Sequence, residues 1–156
     1  MSPSRFYVPV SLLVGLFAIA DPATAQKLDG VKVMMHAAGS CSQFSIGAAK
    51  FTCKGFVYSS HANGRIAFTV PTGQGAITLS GSKDSQLEPT TYTLMIDTVR
   101  AGFQGGINNY DAKGSCTMRV SVDGKFVHSL KCRATNGIDS ISLDFKGNGT
   151  PVEKMI

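Results

Sequence analysis

Residues 115–134 read SCTMRVSVDGKFVHSLKCRA, and their alternation carries the fold. Asp123-Gly124 is a hairpin turn signal. Before it, Cys116, Met118, Val120 and Val122 fall on one face; after it, Phe126, His128, Leu130 and Cys132 do the same. Side chains on a strand repeat every two residues. If Val122 faces Phe126 across a three-residue loop, then 120 faces 128, 118 faces 130 and 116 faces 132. One register therefore buries an apolar face and joins two sulfurs. A strict two-residue turn would put the two cysteines on opposite faces, so the disulfide predicts the longer loop.

The rest of the chain repeats this pattern. Val31–Ala38 reads as a strand. Gly55–Ser60 and Arg65–Val70 flank Asn63-Gly64, a second hairpin signal. Ala76–Ser80, Thr91–Val99 and Ile138–Phe145 follow, each with apolar residues on one face. Gln43–Lys50 reads as either a strand or an irregular turn, and the tail from Gly147 as loose. Seven or eight short strands separated by Gly, Pro, Asn and Asp predict an all-β, antiparallel sandwich or small barrel, with the sandwich preferred for its two inner faces. Trp is absent and the expected disulfides are local, which excludes the immunoglobulin pairing of a core Trp with an inter-sheet disulfide.

The first 25 residues read as an export signal. Arg5 precedes the apolar run VPVSLLVGLFAIA (8–20), and Ala23-Thr24-Ala25 suits cleavage before Gln26, with a cut after Ala20 as the alternative. This largely apolar run of thirteen residues is too short to span a bilayer core of about 30 Å. No membrane anchor is expected after cleavage, and residues 26–156 are expected to form one domain. The setting implied is periplasmic or extracellular. Cleavage removes Arg5 and Asp21 and leaves the net charge at +5. The charge is spread along the chain, which implies weak attraction to anionic partners. Export argues against nucleic acid and for a protein or an anionic envelope polymer.

Four cysteines in an exported chain imply disulfides. There is no C-x-x-C, the usual mark of zinc and redox sites. Short loops favour Cys41–Cys53 and Cys116–Cys132 among three possible connectivities.

No catalytic motif surrounds His36, His61 or His128. A hydrolase would have to depend on His61 or His128, with His128 expected on the inner face. Met34 and His36 share a strand face and offer soft ligands, but two ligands do not make a copper site. No metal or cofactor is expected. Residues 101–114 (AGFQGGINNYDAKG) form the longest stretch without strand patterning and read as a binding loop. Its Phe103, Gln104, Asn108, Asn109, Tyr110 and Asp111 suit a polar ligand or a protein groove. Arg119 and Lys131, among hydroxyl residues on the outer face of the Asp-Gly hairpin, form a second candidate surface. Gly81–Thr90 reads as ordinary surface. The function expected is non-enzymatic binding in the envelope; the alternatives are a small His-dependent hydrolase and an assembly protein using a sheet edge.

Overall fold

The inward alternation of the long strands is satisfied by one sheet that closes on itself. The computed structural model describes residues 30–156; the expected signal segment and its cleavage site lie outside them. The strands are β1 (Val31–Ile46), β2 (Ala49–Lys50), β3 (Gly55–His61), β4 (Ile66–Thr72), β5 (Gly75–Gly81), β6 (Lys83–Glu88), β7 (Thr91–Phe103), β8 (Gly106–Val120), β9 (Val127–Thr135), β10 (Ser140–Gly147) and β11 (Glu153–Lys154). Eight of them form an antiparallel barrel in the order β1-β3-β4-β5-β7-β8-β9-β10, and β10 returns to β1. Of the two architectures expected, the small barrel is the one formed. An inner sandwich face and a barrel interior produce the same alternation, so strand patterning alone does not separate them.

Closure depends on β1. Val31–Ala38 pairs with β3, and Gly39–Ile46 pairs with β10. The strand changes partner at Gly39, whose N–H donates to the Lys54 carbonyl at 3.0 Å. A Cβ there would meet the Lys146 carbonyl and the Phe145 ring. Only glycine lets the two backbones approach this closely.

Side chains fill the barrel, as an eight-stranded wall allows. Phe56 lies edge-on to Phe68 (5.7 Å) and Phe145 (4.9 Å). Leu79, Leu94, Leu130, Leu143 and both sulfur-bearing residues of the 116–132 pair are buried with them. Hydroxyl and charged side chains such as Thr69, Thr78, Arg119 and Lys131 occupy outward positions.

Both expected disulfides are present, Cys41–Cys53 and Cys116–Cys132, with Cα separations of 5.4 and 4.0 Å. Cys116 faces Cys132 and Met118 faces Leu130, as the alternation requires. The register then departs from expectation. Arg119 faces Ser129, but Val120 faces Val127, so His128 is the extra residue of a bulge. Val127 turns inward, His128 is exposed, and Val122 is 81% exposed in the turn. The turn closes through the Ser121 N–H to the Phe126 carbonyl, while Ser121 Oγ donates to Asp123 Oδ1 at 2.6 Å.

Four segments are more regular than expected. Residues 101–114 are not a loop: β7 and β8 pair from Thr91–Arg119 to Phe103–Gly106, with one register shift between Ile96 and Thr98. Glycine and asparagine weaken the strand signal, and the facing strand supplies the hydrogen bonds that propensity does not. Within 81–90, β6 pairs with β7, although all six of its side chains are exposed. Gln43–Lys50 contains the end of β1, a turn at Gly47 and β2. The tail from Gly147 is held against the barrel. β11 pairs with Met35 and His36, Val152 donates to the Lys125 carbonyl at 2.8 Å, and Met155 donates to the Met34 carbonyl at 2.8 Å.

Candidate binding surfaces on the barrel wall

Two regions of the outer wall gather polar side chains. The first is a shallow depression of about 490 Å³ across β3, β4, β5, β7 and β8. Strand register builds it in rows. Ser59, Ala67, Ser80, Thr98 and Asp111 form one row; Val57, Thr69, Thr78, Arg100 and Asn109 form the next. The small residues keep the floor low.

Arg65 crosses this floor. Its guanidinium donates to Asp97 Oδ1 at 2.6 Å and Oδ2 at 3.3 Å, and to Ser80 Oγ at 2.9 Å. These bonds from Arg65 hold the Asp97 carboxyl below the usual carboxylate range. Asp97 and Thr98 are both available to Arg65 where the β7–β8 register shifts. Thr69 and Thr78 share a hydrogen bond at 3.0 Å. Arg100 is exposed and forms no ion pair among the described residues.

Ser59 Oγ lies 3.1 Å from His61 Nε2. That distance suits a nucleophile and its base, but Ser59 is only 6% exposed. No carboxylate bonds the ring among the described residues, so the third group that orients such a base is missing from the pair. His36 lies 3.9 Å from Glu153 in the tail, away from the depression. No group of three His, Cys, Asp or Glu side chains converges as a metal site among the described residues.

The second region is the outer wall of β8, β9 and β10. Lys113, Arg119, Lys131, Arg133 and Lys146 lie on these strands with two carboxylates, Asp111 and Asp144. Arg133 binds Asp144 through two contacts of 2.8 and 2.9 Å. Arg119, Ser129 and Lys146 follow one another across the three strands, with Lys131 one row away. Strand spacing separates the first and last by roughly 10 Å at the backbone.

The residues expected in a single loop divide among three environments. Phe103 stacks on Phe51 with centroids 5.5 Å apart and planes 7° from parallel, and Phe51 meets Phe44 at 5.5 Å. Tyr110 packs against the core. Both aromatic groups therefore belong to the core packing. Gln104 lies in the exposed β7–β8 turn, and Asn108 is exposed beside it on β8. Asn109 lines the depression and Asp111 ends one of its rows. Arg119 and Lys131 belong to the basic region. The sequence reading missed Arg65, Asp97, Ser59 and Ser80. Their signal was the outward half of the alternation, such as Arg65 and Thr69 against Ile66, Phe68 and Val70.

The chain matches no protein-family model, no curated protein and no solved structure.

Proposed function

We propose that this protein is an exported, non-enzymatic envelope protein that binds an anionic polymer through the outer wall of β8–β10. The observation that carries this reading is the excess of cations on three neighbouring strands. Lys113, Arg119, Lys131 and Lys146 remain available after Arg133 and Asp144 satisfy one another. A rigid wall presents them without ordering a loop, which reduces the entropic cost of binding. Serine and threonine between them offer donors to a polar backbone. The two disulfides are consistent with an oxidising compartment.

The test is binding to a polyuronate, with its carboxyl-reduced neutral form as control. The polyuronate is expected to bind at low salt, and the neutral polymer is not. Reversing two charges together, Arg119→Glu with Lys131→Glu, is expected to weaken binding at least about tenfold. Equal binding of both polymers, or no effect of the double reversal, would refute the reading.

A further inference from the structure

We propose that β6 is a self-complementary sheet edge through which two copies of this chain pair. Closing a barrel removes the edges of its wall, but strands that extend beyond the closed part recreate them. Among the described residues such edges include β1 near Met34–His36, β6, and β8 from Gly106 to Ala112, which β9 does not reach. The edge of β1 near Met34–His36 is covered by the C-terminal tail through β11 and the Met155 N–H. β6 pairs with β7 on one side, and no strand among the described residues pairs with its other side. All six β6 side chains are exposed, and Leu87 is 94% exposed. Tyr92 Oη donates to Asp84 Oδ2 at 3.0 Å, which ties this strand to the aromatic core.

Charged residues and a bulge commonly protect such an edge from indiscriminate pairing. Here their arrangement has a symmetry. Lys83, Ser85 and Glu88 stand opposite Met95, Thr93 and Thr91. Those three β7 residues alternate with the inward Tyr92 and Leu94. The register shift between Ser85 and Glu88 therefore puts Lys83, Ser85 and Glu88 on the same outer face, at equal steps along β7. An antiparallel copy related by a two-fold axis beside Ser85 sets Lys83 of each chain against Glu88 of the other. The contact is isologous and closes at two copies. Opposite charges directly across paired strands stabilise the pair, and any register that sets like charges together opposes it. Asp84 remains engaged with Tyr92.

A six-residue edge is small beside the ~1,200 Å² at which standard interfaces begin, so a weak dimer is expected. The inference is independent of polymer binding, which uses other strands. Sedimentation equilibrium of the protein purified from exporting cells tests it. The wild type is expected to show a monomer–dimer equilibrium. Lys83→Glu and Glu88→Lys each place like charges at both contacts and are expected to weaken the dimer at least about tenfold. Mixing the two variants restores opposite charges at both contacts, so a heterodimer of near wild-type affinity is expected. Unchanged melting temperatures show that the variants are folded. A wild type that stays monomeric at about 1 mM, a single reversal without effect, or folded variants that fail to pair on mixing would each overturn the proposal.

Discussion

Asp97 shows how one outward residue organises a surface. It lies where the β7–β8 register shifts, and Arg65 reaches it across β4, β5 and β7. Its carboxyl titrates below the ordinary value of 3.8, chiefly because Arg65 donates to it. The folded state therefore binds a proton there less readily than the unfolded state. The associated stability is complete above the unfolded pKa and is lost as pH falls through the lower folded value. Asp97→Asn is expected to lower neutral stability modestly, because the ion pair is partly exposed, and to flatten the stability–pH curve below pH 3.8 by the same amount. Thermal melts from pH 2 to 7 check this, and an unaltered acid limb would refute it. Phe103 is a second case. Its aromatic character was legible in the sequence as a candidate contact, but its stacking on Phe51 makes it structural. Phe103→Ala is expected to cost about 2 kcal/mol in stability. Polyuronate binding should be unaffected, and urea unfolding with a parallel binding titration separates the two effects.

Among the elements, the β8–β9 hairpin was the most legible because three signals agree on it: an Asp-Gly turn, apolar alternation and two cysteines that meet. The expected register holds from Cys116–Cys132 to Met118–Leu130 and fails beyond Arg119, where His128 bulges. A single-residue insertion changes the face of each residue beyond it, and nothing in the local pattern marks where it occurs. Cys116–Cys132 closes a loop of sequence separation 16 between buried residues. Replacing both residues with alanine is expected to destabilise the protein by about 3 kcal/mol. Urea unfolding measures this, and a loss below about 1 kcal/mol would contradict the entropic account. β6 and the distal parts of β7 and β8 were less legible. Their polar and glycine-rich residues have weak strand propensity, and they are strands because a neighbour supplies a register.

For the whole molecule, net charge was countable from composition, but its distribution was not. The cations that gather on β8–β10 come from positions 113 to 146, and only the pairing of these strands makes them one surface. Polyuronate affinity is therefore expected to fall steeply as salt rises from about 50 to 200 mM. Arg100→Ala, in the depression rather than the basic region, is expected to change that affinity less than the Arg119→Glu, Lys131→Glu pair. Titrations at several ionic strengths check both statements. Local order explains what the sequence determined by itself: the all-β class, the hairpin turns, most inward faces and both disulfides follow from residues no more than 16 apart. Tertiary structure alone decided closure, because it needs β1 to leave β3 at Gly39 and meet β10 more than 90 residues later. It also decided the depression, since its rows take one residue from each of five strands, and it left β6 as an edge, since exposure there depends on which strands never arrive beside it.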